Sequence, residues 1–251
     1  MTRQRTTFEE DLRAAVDASA LLDLPASAVQ ALLNGAVEVQ LPPAAILYRD
    51  ADRPRAGIVV RGLVRVYMTS PEGRHITVRY ARPGDILGIA VGVGGPASVS
   101  VATVVESALA MFDLRRLEAL ARSDPRVGWW AAEEVTRRLY ETLEELAGTA
   151  FLSVRQRVAR HLLDLATERR AGEALVAAIG QQDLADAVGS VREVVSRALA
   201  AFRDGGLVET RRDAIIVLDP ARLADEARPD RERDRSHVGA DRGHGSPPPA
   251  R

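Results

Sequence analysis

The sequence has 251 residues, a formal net charge of −1 and 46% hydrophobic residues, which is enough for one large domain or two modest ones with a sizeable core. It contains no cysteine, and this excludes disulfides, cysteine-bound zinc and iron–sulfur clusters. The near-zero charge neither favours nor excludes a nucleic-acid partner, because a basic patch can coexist with a neutral total.

The N-terminal stretch is predicted to be helical, because apolar residues recur at helical spacing from about residue 8 to residue 36. We treat residues 1–20 as an N-terminal extension. Glu9, Glu10 and Asp11 interrupt any apolar signal-peptide core. No apolar run approaches the roughly 20 residues that a membrane-spanning helix needs. We therefore expect a cytoplasmic protein without a membrane partner.

Residues 21–123 are predicted to form an antiparallel β-roll. Glycines follow one another at an even spacing that is typical of turns between short strands, at Gly62, Gly73, Gly84 and Gly95. The segments between them alternate between apolar and polar residues. In GLVRVYMT (residues 62–69), for example, the pattern places Val64, Val66 and Met68 on one face and Arg65 and Tyr67 on the other.

Residues 124–152 are predicted to form a long helix, with Asp124 as N-cap and Pro125 at the first helical position. Trp129 and Trp130 are interpreted as packing residues. Further along, apolar and small residues follow the spacing of a coiled-coil seam, which needs a partner. The partner is either the chain's own roll or a second copy. We favour a homodimer, with the seam at Val135, Leu139, Thr142 and Leu146.

Residues 153–222 are predicted to form a winged helix-turn-helix domain. Gly189 lies at the turn between two helices, and LVETRRDAIIVLD (residues 207–219) is typical of a wing hairpin. In the second helix Val191, Val195 and Ala198 are expected to face inward. The opposite face carries Arg192, Glu193, Ser196 and Arg197.

These side chains are the types that read bases in the major groove. Arginine donates two parallel hydrogen bonds to guanine and glutamate accepts from cytosine, so we expect Arg192, Glu193 and Arg197 to contact base edges. Ser196 is a candidate for a base or a phosphate, and Gln182 of the first helix for a phosphate. The alternative for each residue is an exposed polar group on an amphipathic helix.

The order of these parts, in an α+β chain, resembles that of the Crp/Fnr superfamily of bacterial transcription regulators, relatives of the cyclic AMP receptor protein. The resemblance rests on GIVVRGLVRVY and PGDILG in the roll and on QQDLADAVGSVREVVSRAL in the helix-turn-helix. It implies a homodimer that binds double-stranded DNA at palindromic sites with TGTGA- or TTGAT-like half-sites. It also makes RNA polymerase a candidate partner.

The resemblance further implies a cyclic-nucleotide pocket in the roll, but the residues that hold the nucleotide differ. Members of the family use a glutamate for the ribose and an arginine for the phosphate. Here Ile89 follows Gly88 where the glutamate belongs, and Ala97 and Ser98 occupy the place of the arginine and its neighbour. Thr142 keeps the position that touches the base.

A buried phosphate without an arginine is costly. We therefore expect that the roll does not bind cyclic AMP in the usual way. Arg79 and Arg82 are the candidate substitutes for the missing arginine.

Other function classes are less well supported. One alternative is a sensor whose DNA binding depends strictly on a small ligand, including a haem gas sensor with His75 as the iron ligand. We expect no other cofactor. The four histidines have no metal-ligand spacing, and no catalytic constellation is recognisable, so we expect neither a metal site nor an enzyme. Residues 223–251 are rich in charge, glycine and proline, which predicts a disordered tail.

Overall fold

A computed structural model describes residues 2–49, 56–73, 75–95, 97–168 and 175–228. The chain is α+β, and it divides into two compact units, Met1–Leu146 and Ala147–Arg251. Among the described residues, no helix is both long enough and apolar enough to cross a membrane.

The first unit contains the predicted antiparallel β-roll. Two four-stranded sheets have the orders β1-β8-β3-β6 and β2-β7-β4-β5. Their strands are β1 (Val37–Leu41), β2 (Ile46–Tyr48), β3 (Ala56–Arg61), β4 (Val64–Thr69), β5 (His75–Ala81), β6 (Ile86–Leu87), β7 (Ser100–Thr103) and β8 (Ser107–Phe112).

The predicted glycine turns are confirmed where the backbone requires glycine. Gly62 has a φ of +92°, and a Cβ there would lie 2.6 Å from the carbonyl oxygen of Glu106. Gly84 has a φ of +94°, and its Cβ would lie 2.9 Å from the carbonyl oxygen of Ala18. Both positions combine a left-handed backbone with close contact to a neighbouring carbonyl oxygen, so a side chain at either position would clash.

Burial in β4 does not follow the predicted alternation of faces. The predicted shared face of Arg65 and Tyr67 is confirmed, because the Arg65 guanidinium lies 5.1 Å from the centre of the Tyr67 ring. Val64 and Val66 are buried as expected, but Tyr67 is buried as well and Met68 is exposed. The register shift between β4 and β5 skips Val78, so the extra residue lies in β5 and not in β4.

Helices cover one side of the roll and complete its core. They are α1 (Thr2–Asp17), a 3₁₀ helix (Ala20–Asp23), α2 (Ala26–Leu33), α3 (Ile89–Gly94) and α4 (Leu114–Ser123). Phe8 and Ala15 of α1 belong to the same buried cluster as Leu32 and Ile58. The N-terminal extension is therefore packed against the roll.

The predicted long helix is α5 (Pro125–Phe151). Its first turn is held by Asp124, whose carboxylate accepts the backbone N–H of Arg126 at 3.0 Å. The hydrogen bonds from the Arg126 side chain and then from that N–H lower the pKa of Asp124 below its usual value. Trp130 is buried and donates to the carbonyl of Ala20 at 2.7 Å, which confirms its packing role.

Trp129 differs from its neighbour, because it is exposed and donates only to Glu133 of the same helix. The packing interpretation was therefore wrong for Trp129. Adjacent residues on a helix point about 100° apart, so two consecutive tryptophans cannot both face one core.

The second unit contains the predicted winged helix-turn-helix. Its elements are α6 (Val154–Leu165), β9 (Ala166–Glu168), β10 (Leu175–Ala177), α7 (Gln181–Ala187), α8 (Arg192–Asp204), β11 (Val208–Thr210), β12 (Ile215–Val217) and α9 (Pro220–Ala227). The four short strands form one antiparallel sheet with the order β11-β12-β10-β9.

The predicted boundary of the disordered tail at residue 223 is corrected by α9. Leu223 is completely buried, and the Asp219 side chain caps the helix by accepting from the backbone N–H of Arg222. The side chain of Gln156 donates to the carbonyl of Arg228 at 2.7 Å. The charged composition of this stretch concealed a single well-packed leucine. The remainder of the predicted tail, residues 229–251, lies outside the described residues.

Candidate functional site

Helix α8 presents the polar face that the sequence predicted. Arg192, Glu193 and Arg197 are exposed, and Ser196 is half-buried on the same helix. The opposite face is fixed in the core of the second unit by the buried side chains of Val195, Ala198, Leu199 and Phe202. The candidate base-reading side chains therefore lie together on the solvent side of a helix whose orientation is set by packing.

The start of α8 differs from the prediction at Val191. This residue was expected to face inward, but it is the N-cap, has an extended backbone and is exposed. An N-cap residue lies half outside the helix, so the helical period does not determine the direction of its side chain.

The first helix of the motif, α7, is anchored by the buried residues Leu184 and Ala185. Gly189 has a φ of +63° in the turn that follows. Gln182 is exposed, as a phosphate contact requires, but its side-chain amide donates to Asp186 at 2.9 Å within the helix. Contact with DNA would have to compete with this bond.

The wing adds cationic groups to which the sequence reasoning assigned no role. Arg211 and Arg212 lie in the exposed turn between β11 and β12. Arg203 of α8 donates to the hydroxyl of Thr210 at 3.0 Å and so joins the helix to the first wing strand. The pair Arg211 and Arg212 in the predicted wing turn was the signal by which the sequence could have indicated these two cations.

The roll contains a cavity of about 230 Å³. Gly88, Ile89 and Ala97 line it, as the resemblance implied. Gly88 has a φ of +86° and caps α3, and Ile89 is buried where the family has a glutamate.

Two residues predicted for this pocket lie elsewhere. Ser98 is exposed and is not part of the cavity wall. Thr142 is exposed, outside the wall, and donates its hydroxyl to the carbonyl of Arg138 in the preceding turn of α5. Both predictions are corrected: Ser98 follows the loop outward, and Thr142 lies one helical turn beyond the last residue of α5 that reaches the cavity.

Polar side chains that the predicted pocket did not contain also line this cavity. They are Tyr48, Arg79, Glu134 and Arg138. Arg79 was one of the two candidate substitutes for the missing arginine, whereas Arg82, the other, is not in the wall. Arg79 is largely buried, with 17% of its side chain exposed, and the alternating pattern of its strand does not indicate this burial.

Arg138 ties the long helix to the roll. Its guanidinium contacts Glu134 at 3.0 Å, Glu141 at 2.7 Å and Asp85 at 2.9 Å. Glu134 is almost completely buried and also contacts Arg137. Asp85 in turn lies 3.9 Å from Arg79, so one carboxylate on the roll faces two arginines.

His75 does not belong to the cavity. It lies on β5 with its ring 4.7 Å from that of Tyr67, and it is not among the lining residues. The residues around the cavity thus do not fit a haem held by His75. Within the described part of the chain, no group of three or more potential metal ligands is present.

The predicted dimer seam is corrected at Val135. This residue is half-buried, packs against the core of its own roll and lines the cavity. Leu139 and Leu146 of the predicted seam are exposed, and so is Leu143, which the prediction did not include. The exposed apolar row on α5 therefore runs through Leu139, Leu143 and Leu146.

Comparison with known proteins gives a consistent result for both units. Residues 156–226 match the Crp-like helix-turn-helix domain, and residues 38–124 match the cyclic nucleotide-binding domain. The chain is 28% identical over 208 residues to a CRP-like cAMP-activated global transcriptional regulator of Mycobacterium tuberculosis, covering 80% of this chain and 93% of the relative.

Two further relatives come from Thermus thermophilus. The transcriptional regulator LdrP is 32% identical over 171 residues, which cover 66% of this chain and 84% of LdrP. The crystal structure of a transcriptional regulator of the CRP family from the same species superimposes with a TM-score of 0.63 at 27% identity, covering 75% of this chain and 96% of the other.

Proposed function

Since this chain belongs to the Crp/Fnr family of transcription regulators and carries its DNA-binding helix-turn-helix, we propose that it acts as a homodimer on palindromic DNA. We further propose that its roll does not bind cyclic AMP in the usual way. The family is one of regulators and not of enzymes. RNA polymerase is the proposed second partner, and the cytoplasm the proposed location.

The observation that carries this proposal is the exposed face of α8. Arg192, Glu193 and Arg197 project from the N-terminal half of a helix whose other face is buried. Recognition helices enter the major groove with this half, where arginine reads guanine and glutamate reads cytosine. The wing arginines Arg211 and Arg212 have the charge and exposure to contact phosphates, which position a protein on DNA.

The exposed apolar row on α5 supports the homodimer. Leu139, Leu143 and Leu146 follow the alternating four- and three-residue spacing of a two-stranded coiled coil. Exposed leucines in such a row are covered when a second copy of the helix packs against them. A two-fold dimer places two reading helices about one helical turn of DNA apart, which requires a palindromic site.

The cavity wall supports the proposal about cyclic AMP. Ile89 is buried at the position of the ribose-binding glutamate, and Ala97 lines the cavity at the position of the phosphate-binding arginine. Neither side chain can form the charged hydrogen bonds that the family uses there. The Mycobacterium relative is described as activated by cAMP, and this chain is proposed to differ from it in that respect.

The test is fluorescence anisotropy with a palindromic TGTGA-type duplex and a scrambled duplex, with and without cyclic AMP, at one salt concentration because affinity depends steeply on salt. We expect preference for the palindrome with and without the nucleotide. Preference only with cyclic AMP would contradict the proposal about the roll. Equal binding of both duplexes would contradict the TGTGA-type half-site that the family resemblance implies. Selection from random DNA would then test whether the protein reads any other sequence.

A sensor whose DNA binding depends strictly on another small ligand is the second candidate. The specific observation in its favour is the cavity of about 230 Å³ between the roll and α5. In the same assay such a protein binds neither duplex specifically until its own ligand is added.

A further inference from the structure

The cavity of the roll is lined mainly by apolar side chains. Leu47, Val66, Leu87, Ile89, Val101 and Met111 contribute to its wall. Its volume of about 230 Å³ lies just below the range of about 300–1,000 Å³ that is usual for pockets of drug-sized ligands. A cavity of about 150 Å³ holds benzene, so this one suits a molecule with on the order of ten non-hydrogen atoms.

Three buried polar atoms of residues in this wall lack a hydrogen-bond partner among the described residues. One is Oε2 of Glu134, which contacts the guanidinium of Arg137 as an ion pair. The other two, Nη1 of Arg79 and the hydroxyl of Tyr48, are hydrogen-bond donors. The other terminal nitrogen of Arg79, Nη2, donates to the carbonyl of Ile86 at 3.1 Å, which fixes the direction of the guanidinium. Buried polar groups of native proteins are almost always hydrogen-bonded, so these two atoms indicate a missing acceptor.

The charges around Arg79 leave it incompletely compensated. The nearest carboxylate, Asp85, lies 3.9 Å from Nη1. That carboxylate is already shared, since it accepts from Arg138 at 2.9 Å and from the backbone N–H of Arg82 at 2.8 Å. Glu134 and Glu141 are both bonded to Arg138. Burial, with the nearby charge of Arg138 as a second cause, lowers the pKa of Arg79 to about 10. The group is therefore still a cation at neutral pH.

We propose that this cavity binds a small monocarboxylic acid with an apolar body, and that Arg79 and Tyr48 bind its carboxylate. This proposal rests on the proposed function and names a ligand class for its second candidate, a regulator whose roll senses a small molecule. One carboxylate oxygen accepts from Nη1 of Arg79 and the other from the hydroxyl of Tyr48, while the apolar body fills the remaining space. A phosphodiester fits less well, because the wall offers few donors and Ala97 takes the place of the phosphate-binding arginine.

The same contacts connect the ligand to the long helix. Asp85 lies between Arg79 and Arg138, and Arg138 belongs to α5. A carboxylate on Arg79 weakens the attraction between Arg79 and Asp85, which leaves Asp85 more fully to Arg138. The ligand is thus expected to strengthen the contact that holds α5 on the roll.

Isothermal titration calorimetry of the full chain without DNA tests the proposal. The probes are octanoate and 3-phenylpropanoate, each compared with its primary amide, which has the same shape and no charge. We expect at least one acid to bind about 10- to 100-fold more tightly than its amide, as a charge-assisted hydrogen bond predicts. Arg79→Met is expected to remove this preference, and Tyr48→Phe to weaken binding of the acid several-fold.

The matched control is Arg82→Met, because Arg82 is close in sequence but outside the cavity wall; it should bind like the wild type. Tyr48→Phe removes only one oxygen atom and so keeps the test valid if Arg79→Met unfolds. Equal affinity for acid and amide, an unchanged preference in Arg79→Met, or no binding of either acid would overturn the proposal, and an ordered water would then account for the two atoms.

The anisotropy assay separates this proposal from the proposed function. If the chain binds DNA specifically but binds neither acid, only the ligand proposal is contradicted. If it binds an acid through Arg79 but does not distinguish DNA sequences, only the base-reading assignment is contradicted.

Discussion

Single residues in the first half of α5 show how a buried charge is compensated. Glu134 has only 2% of its side chain exposed, which would be prohibitive for an unpaired carboxylate. It is compensated by Arg138 at 3.0 Å and by Arg137 of the same helix. Removing one partner from a buried pair is usually more costly than the pair is worth, because the remaining charge stays buried.

We therefore predict that Arg138→Met lowers the free energy of unfolding of the first unit by about 2–4 kcal/mol. Urea unfolding followed by tryptophan fluorescence measures this unit selectively, since both tryptophans of the chain, Trp129 and Trp130, lie in it. The matched control is Arg122→Met, which removes an exposed pair with Glu118 and is expected to cost less than about 1 kcal/mol. Equal effects of the two substitutions would contradict the compensating role of Arg138.

The proposed base reading is also a property of single residues. Arg197→Ala is expected to cost about 1–3 kcal/mol in binding the specific duplex and to relax discrimination at one base pair. Binding to random DNA should change much less. Anisotropy with single-base variants of the palindrome measures both effects. Arg203→Ala is the control on the same helix, because Arg203 is held by Thr210 at the other end of α8; an unchanged specificity ratio in Arg197→Ala would refute its role.

At the scale of elements, most of the architecture could be predicted, because the hydrophobic period distinguishes strands from helices and glycines mark the turns. The predicted dimer seam failed because it depends on which neighbour the helix meets. A four-three seam on α5 can pass through Val135 and Thr142 or through Thr136 and Leu143. Both rows share Leu139 and Leu146, and only the position of the roll decides between them.

The lining of the cavity in the roll shows the same limit. The loss of the family's charged pair at Ile89 and Ala97 was visible in the sequence. Arg79 was a candidate for the pocket on its charge alone and Glu134 was not predicted there, because the burial of both residues depends on the packing of β5 and α5 around one space. Local pattern does not record such long-range contacts.

Helix α9 yields a prediction at this scale. Leu223 is completely buried, so Leu223→Ala should destabilise the second unit by about 2–5 kcal/mol through the lost contacts and the cavity that remains. Hydrogen exchange measured by mass spectrometry should then show faster exchange in peptides from α6 and α9. Leu218→Ala is the matched control, because Leu218 is exposed. No change in exchange for Leu223→Ala would mean that α9 is not packed as described.

At the scale of the whole molecule, the residues that carry the proposed function are divided between the two units. The first unit holds the cavity and the exposed leucine row, and the second holds α8, the proposed base-reading helix, and the wing. In the proposed homodimer, each chain supplies one α8 to a palindromic site. The DNA affinity of that dimer is therefore expected to depend on a leucine row that lies far along the sequence from the candidate base-reading residues.

The prediction that tests this dependence is Leu143→Arg on the exposed row of α5. A charge introduced into a coiled-coil seam is buried without a partner in the dimer, so the substitution should shift the protein toward the monomer. Analytical ultracentrifugation measures this shift. Anisotropy should show a loss of affinity for the palindrome of about 100-fold or more, because two linked half-sites gain about 10²–10⁴ over one.

Leu22→Arg is the matched control for this prediction, since Leu22 is an equally exposed leucine on the 3₁₀ helix of the same unit and lies outside the proposed seam. It should leave both the mass and the DNA affinity unchanged. A Leu143→Arg protein that remains dimeric would place the dimer interface elsewhere on the chain. A wild-type protein that is monomeric and still prefers the palindrome would show that one reading helix suffices. The exposed leucine row would then have no role in DNA recognition.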